Sequence, residues 1–511
     1  MGAKYPGRLP QLRATAAGAA ALADRSGNMR AFGGYLPGAK VVLIGDSQTN
    51  GSQQSFSPTA VSYDSPSGVL TCTVGLAFSS GERTKFTVRA DPKWNVYDAP
   101  CTLIDATRFS LQLPTGLAGQ PTLGDIRIGR SSLLQASGIW GYLKSALRGG
   151  VTLLRNAGVT GETISQVRQR VPTEVAPLGA DVIIWQGGNN DIQSSTAEQM
   201  FADTLDLLAT LPANAAVVLI NQAAATSAYG GWTGATLARC LQFNDYLKSI
   251  PTIFPEIRMR IVDAYTRAVG AGGYSQATMM QADGYHWSGR LSVLIAQDVA
   301  DAVRSLGYGC MPDVLPQRAE QSYHASTNPN AINKCDNALV QLGASPYATG
   351  FSNGSAGAGA FTSSVVGSVQ AASWGVGKSQ KITYTPAAAG DIARLNLPSV
   401  AGRFVPGQKV RFKLRLKTTG LAGQSITRYL SVFAIYRVDA GTQWQIGVWA
   451  SGALAAEFPQ QDWDTEVFSE PIQLPTGAAI TNLNAAVIHY LDGPGAPCSI
   501  EVGQIFFEPV A

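Results

Sequence analysis

Between about residues 39 and 306, short apolar runs alternate with amphipathic helical patterns. The runs fall at 41–44 (VVLI), 151–154, 182–185, 217–220 and 261–262, and branched residues dominate them. In the gaps, Met200, Phe201, Leu205 and Leu208 recur at three- and four-residue spacing. The same spacing is seen for Leu237, Leu241, Tyr246 and Leu247, and for Leu291, Leu294, Ile295, Val299 and Val303. A run of four apolar residues with no polar alternation reads as a strand buried on both faces. Strands of that kind separated by helices imply a parallel sheet with helices on both sides, an α/β fold.

Two regions depart from this rhythm. From about 60 to 117, GVLTCTV, TKFTVRA and TRFSLQL show period-two patterning broken by turn residues, which predicts a small β insertion after the first strand. Residues 307–365 contain a stretch rich in Asn, Ser, Gly and Ala that reads as a linker or irregular lead-in. From 366 to 511 the chain is β-patterned. In KVRFKLRLK (409–417), Val410, Phe412, Leu414 and Leu416 alternate with Lys409, Arg411, Lys413, Arg415 and Lys417, which predicts a half-buried strand with a basic solvent face. Further strands at RYLSVFAIYRV, QWQIGVWA, AAVIHYL and SIEVGQIFFE suggest a sandwich or jelly roll. The expected organisation is therefore an N-terminal segment (1–37), an α/β domain (38–306), an irregular stretch (307–365) and a C-terminal β domain (366–511).

Composition narrows the class of function. Only 14% of the 511 residues are charged and the formal net charge is +4, so no nucleic-acid footprint is expected. The six cysteines, Cys72, Cys101, Cys240, Cys310, Cys335 and Cys498, lack CxxC spacing, which argues against a zinc site. Buried free thiols are expected, with Cys72–Cys101 and Cys310–Cys335 as possible bridges. Neither cofactor nor metal is expected: there is no phosphate-binding loop and no histidine cluster. No run reaches the length of a membrane span. Lys4, Arg8 and Arg13 precede ATAAGAAALAD (14–24), a weak imitation of a signal peptide that reads better as a short helix or coil.

The first apolar run ends in Gly45-Asp46-Ser47, which puts a serine at the carboxyl end of a buried parallel strand, where such sheets bind ligands. Taken alone, Asp46 and Ser47 could equally cap the next helix. A serine nucleophile needs a base, and the chain has three histidines. His324 lies past the α/β region and His489 inside a predicted C-terminal strand, leaving His286 in ADGYHWSGR before the last helix. Asp283 stands three residues earlier, able either to orient the imidazole or simply to close a loop. The run at 182–185 leads into QGGNND, where Asn190 offers an amide, and the run at 151–154 leads into NAGVTGET, where a glycine allows close backbone approach.

GDSQT, the glycine of NAGVTGET, GNND (188–191) and DGYH (283–286) together resemble the four blocks of the SGNH, or GDSL-like, hydrolase superfamily. That resemblance implies a flavodoxin-like α/β/α domain and activity as an esterase, lipase or carbohydrate O-deacetylase. It implies Ser47 as nucleophile, His286 as base and Asp283 as its orienting partner, with the Ser47 N–H, the Gly161 N–H and the Asn190 side chain as oxyanion donors. Gly158 is the alternative to Gly161, because the insertion separates the first two blocks. Gln48 stands where the name-giving motif has leucine. The insertion resembles β modules of bacteriophage tail and fibre proteins, and the C-terminal region resembles carbohydrate-binding jelly rolls, with Trp374, Trp444, Trp449 and Trp463 available to stack on sugars. These likenesses imply a serine esterase deacetylating a bacterial surface polysaccharide, carried as a homotrimer on a virion tail and acting outside the cell, or else a secreted bacterial protein. A general carboxylesterase or lipase, and a non-catalytic glycan-binding adhesin, are the alternatives.

Overall fold

The structure, a computed structural model, describes residues 38–308, 324–326 and 333–510, apart from 52, 76–77, 79–81, 136, 341–342, 345, 367–376, 425, 438–442, 451–457 and 475–481. The N-terminal segment, Cys310 and Trp374 lie outside the described residues, and so does the side chain of Trp444. Five parallel strands form the central sheet: β1 (Ala39–Gly45), β2 (Val151–Gly158), β3 (Val182–Gln186), β4 (Ala216–Ile220) and β5 (Met259–Val262). Their order is β2-β1-β3-β4-β5. The helices are α1 (Ser47–Asn50), α2 (Ile139–Ala146), α3 (Ile164–Glu174), α4 (Ala197–Thr210), α5 (Gly234–Ile253), α6 (Ala264–Ala268) and α7 (Gly289–Ser305).

The unbroken VVLI run is explained by the two faces of the sheet. Val41 and Leu43 point into a core with Ile139, Trp140 and Leu143 of α2 and Leu291, Ile295 and Val299 of α7. Val42 and Ile44 point the other way, onto Ile164, Val167 and Val171 of α3 and the apolar sides of α4 and α5. Successive strand residues face opposite layers, so a doubly covered strand has no place for a polar residue. Because β1 lies between β2 and β3, the chain reverses its winding direction there, and a crevice opens outside the carboxyl ends of β1 and β3.

The β-rich segment between β1 and α2 is wider than 60–117: its strands run from Gln53 to Gln135. Ala60–Asp64, Val69–Thr73, Arg108–Gln112 and Thr102–Leu103 make one sheet, while Gln53–Phe56, Arg83–Val88, Val96–Pro100 and Ile126–Gln135 belong to another. The Ile126–Gln135 strand also pairs in parallel with Gln443–Ala450 of the C-terminal region, so insertion and C-terminal region share one nine-stranded sheet. Period-two patterning marks each strand but carries no information about which distant strand it will join.

In the C-terminal region, two antiparallel sheets meet over one core that holds Leu395, Val432 and Val487 from one and Phe412, Ile500 and Val502 from the other. His489 is fully buried between them, held by Tyr384 and by Thr427 Oγ1 at 2.8 Å, and burial pushes its pKa down to about 3. Three expectations fail here. The basic row of the Lys409–Thr419 strand is a solvated face only at its start, where Lys409 is exposed; along its middle Lys413 is 2% exposed, Arg411 and Lys413 pair with Glu508, and Arg415 pairs with Asp464 and Glu466. Acids on neighbouring strands cover the row, which alternation along one strand cannot reveal. Trp449 and Trp463 are not open to sugars. Both are buried, and both stack on Tyr142 of α2 at 5.5 and 5.8 Å between centroids. Nor is 307–365 uniformly irregular, since Asn333 and Cys335 are buried in the C-terminal core and Ala360–Val366 pairs with Ser379–Thr385. Cys72, Cys101, Cys240, Cys335 and Cys498 are buried and unbridged.

Candidate active site

The crevice is built on sterically demanding ends of strands. At the end of β1, Gly45 has φ +151°, and a Cβ there would collide with the Gln186 carbonyl oxygen of β3. Only glycine lets the two strand ends close up and turn the chain into α1. Asp46 then caps that helix, its Oδ1 accepting the Gln48 N–H at 3.0 Å. Ser47 follows as a half-buried first residue of α1, its side chain in the crevice. Both roles allowed to this triplet in the sequence are therefore filled at once, the cap by Asp46 and the crevice hydroxyl by Ser47.

On the other side, residues 280–287 form a tight loop. Gln281 N–H bonds the His286 carbonyl at 2.7 Å and Gly284 N–H bonds the Gln281 carbonyl at 2.8 Å. Asp283 closes the turn through Oδ1, which accepts the N–H groups of Tyr285 and His286 at 2.9 and 3.0 Å. Its second oxygen, Oδ2, lies 2.6 Å from His286 Nδ1. His286 Nε2 in turn lies 3.0 Å from Ser47 Oγ. The structure thus brings Ser47, His286 and Asp283 into one hydrogen-bonded line. Partial burial pushes the Asp283 carboxyl up, but the hydrogen bonds from the His286 ring and from the two backbone N–H groups outweigh it and hold the pKa at about 2.

Gln48 is a member of this site that sequence reasoning passed over. Its side-chain amide donates to the Tyr285 carbonyl at 3.1 Å and accepts the Trp287 N–H at 3.0 Å, so it clasps the backbone on both sides of His286. A leucine there could make neither bond. Only a departure from the family motif hinted at this residue, and its role becomes visible once α1 and the 280–287 loop are neighbours.

Gly161 and Asn190, expected from the sequence as further donors, lie on the turns that follow β2 and β3. Gly161 has φ +84° and packs against Arg89, whose Cδ would lie 3.0 Å from a Cβ at this position. Its N–H makes no hydrogen bond among the described residues. Gly158 is spoken for: its N–H is held by Asn156 Oδ1 at 3.1 Å and its carbonyl by Lys85 Nζ at 2.6 Å. Asn190 spends one side-chain N–H on the Glu162 carbonyl at 2.9 Å, and a primary amide carries a second.

Beneath the crevice lie two acids. Asp46 is fully buried, and burial raises its pKa to about 6 despite the Gln48 hydrogen bond and the nearby His286. The backbone N–H groups of Gly188 and Asn189 also favour its charged form, although Oδ2 has no partner of standard hydrogen-bond geometry. Asp191 accepts the N–H of Ile164, the first residue of α3, at 3.1 Å; burial, with Asp46 adding to it, raises its pKa to about 7. Among the described residues no three His, Cys, Asp or Glu side chains are grouped as a metal site requires, and no helix is long and apolar enough to cross a membrane.

No family model matches the chain, and no curated protein does. Solved structures similar to it include a carbohydrate acetylesterase, Est24, from Sinorhizobium meliloti, with 14% identity over 52% of this chain and 99% of that one, at a TM-score of 0.31. A lipase/acylhydrolase from Enterococcus faecalis is similar at 19% identity over 30% of this chain and 77% of that one, TM-score 0.27. The enzymatically active domain of bacteriophage CBA120 tailspike protein 4 is similar at 12% identity over 36% of this chain and 22% of that one, TM-score 0.23.

Proposed function

We propose that this protein is a serine ester hydrolase of the SGNH type that removes O-acetyl groups from a bacterial surface polysaccharide. The observation that carries the proposal is the line Ser47 Oγ to His286 Nε2 (3.0 Å) and His286 Nδ1 to Asp283 Oδ2 (2.6 Å), which is the geometry a hydroxyl needs for activation by an oriented base. His286 Nε2 takes the proton as Ser47 Oγ bonds to the ester carbon, and the carbonyl electron pair moves onto oxygen. The Ser47 and Gly161 N–H groups and the Asn190 amide receive that oxyanion. Collapse of the adduct breaks the bond to the sugar oxygen, which leaves with the proton from Nε2. Water then attacks the acyl-serine as His286 takes its proton, and acetate and free Ser47 are released.

Two features support a glycan over a lipid substrate. The large apolar side chains exposed among the described residues are Leu103, Ile104, Leu123, Ile253 and Val405, and none stands on the loops around Ser47, which favours a short acyl group over a long one. Tyr229 and Tyr285 stack 4.9 Å apart beside His286, an aromatic ledge of the kind sugar rings pack on. The flanking β modules and low charge support a homotrimeric tail spike on a virion as its setting.

The test is acetate release from a panel of O-acetylated bacterial polysaccharides, alongside p-nitrophenyl acetate hydrolysis. Ser47→Ala should lower kcat by roughly four orders of magnitude or more while the protein stays folded. Glycan binding without acetate release from any substrate would mark the protein as an adhesin on a hydrolase scaffold. Cleavage of long-chain esters in preference to acetyl would mark it as a lipase.

A further inference from the structure

The insertion reaches into the core directly below the oxyanion loop. Lys85, on the Arg83–Val88 strand, is 3% exposed, and its Nζ donates to Asn50 Oδ1 at 2.7 Å and to the Gly158 carbonyl at 2.6 Å. Asn50 is the last residue of α1 and passes the connection on, its Nδ2 donating to Thr160 Oγ1 at 2.9 Å. Gly158 ends β2, and a Cβ on it would lie 2.5 Å from the Asn50 backbone nitrogen, so α1 and the 158–161 turn are as close as the backbone permits. Other insertion residues hold the same region. Asn95 Nδ2 and the Tyr97 hydroxyl donate to Glu174 at 2.9 and 2.7 Å. Glu174 and Glu162 both pair with the buried Arg170, whose Nη2 also reaches the Gly45 carbonyl.

Lys85 makes no ion pair among the described residues: its two hydrogen-bond acceptors are neutral oxygens, the Tyr97 ring lies 5.8 Å from its Nζ, and Glu174 and Glu162 act on it only through space. An amine buried without a carboxylate is costly, and an apolar side chain of similar length would serve packing at lower cost. What the amine supplies is two directed bonds, one to the segment that begins with Ser47 and one to the turn that ends with Gly161. We propose that Lys85 is a positioning residue for the oxyanion pocket, setting the separation of the Ser47 and Gly161 N–H donors by joining Asn50 to Gly158. The insertion is on this view part of the catalytic apparatus. The inference rests on Ser47 acting as the nucleophile.

The experiment compares full-length wild type with Lys85→Met, Asn50→Ala and Ser47→Ala, reading p-nitrophenyl acetate kinetics, the thermal midpoint and inhibition by methylboronic acid, which forms a tetrahedral adduct on an active serine. Lys85→Met is expected to fold and to lose about 100-fold in kcat with KM changed by no more than about twofold, since misplacing donors by an ångström costs that much. Its inhibition by methylboronic acid should weaken in parallel, as interactions made only in the tetrahedral state require. A folded Lys85→Met with wild-type kcat, or one that loses activity only as it unfolds, overturns the inference. If Lys85→Met does not fold, Asn50→Ala decides: a kcat about 10-fold lower at unchanged KM supports it, and a wild-type kcat overturns it. Failure of both to fold also counts against it, because the contacts are then structural. Wild type no more active than Ser47→Ala would instead remove the esterase reading, and this inference with it.

Discussion

Asp191 shows how a single side chain links the site to pH. Its pKa in the folded protein is about 7 against an ordinary 3.8, so between those values the folded state holds a proton that the unfolded state has lost. Stability from this group is fully present below the lower value and falls as pH rises through the upper one, where a buried carboxylate must ionise. Asp46, raised to about 6, acts in the same direction. Asp283, held at about 2, acts oppositely but only in strong acid. Asp191→Asn keeps an oxygen for the Ile164 N–H and removes the ionisation. Urea unfolding should find it more stable than wild type by up to a few kcal/mol near pH 8, with the difference shrinking through pH 5 and nearly gone only below about pH 4. An unchanged slope with pH would show that Asp191 does not titrate in this range. Sequence showed GNND as a block; it could not show that Asp191 lies buried within reach of Asp46, because their approach depends on β1 and β3 being neighbours.

At the scale of elements, α2 does two jobs. Its apolar side covers the central sheet, while Tyr142, Trp140 and Lys144 meet the C-terminal region. Glu470 accepts from Trp140 Nε1 at 2.6 Å and from Lys144 Nζ at 2.8 Å, and Lys144 is 2% exposed. Glu470→Ala would leave that ammonium buried without its carboxylate. It should cost about 3–5 kcal/mol in urea unfolding, as breaking a buried pair from one side does. A loss below about 1 kcal/mol would indicate that water replaces the carboxylate. Nothing in neighbouring residues marks α2 as facing two partners. Ile139 through Ser145 are all buried, Lys144 and Ser145 included, as suits a helix enclosed between a sheet and a second domain.

For the whole molecule, the shared sheet and shared core mean that the α/β region and the C-terminal region are not independent bodies. The Ile126–Gln135 strand belongs to both, and side chains from both fill one continuous core. Calorimetry should therefore show one cooperative transition, since neither part can open without exposing the other's apolar surface. Two well-separated transitions would show that the interface contributes little.

Local physics made a large part of this legible. Doubly buried strands, amphipathic helices and the chain order of a serine, a glycine turn, an asparagine and an Asp-x-x-His pair are all written in neighbouring residues, and the structure brings Ser47, His286 and Asp283 into one hydrogen-bonded line. Contacts between segments far apart in sequence were decided by tertiary structure alone: Gln48 on the His286 loop, Lys85 beneath the 158–161 turn, Trp449 and Trp463 on Tyr142, and the acids over the Lys409–Thr419 strand. Side-chain periodicity specifies which face of an element is buried, but the identity of what covers that face emerges only when separate elements pack together.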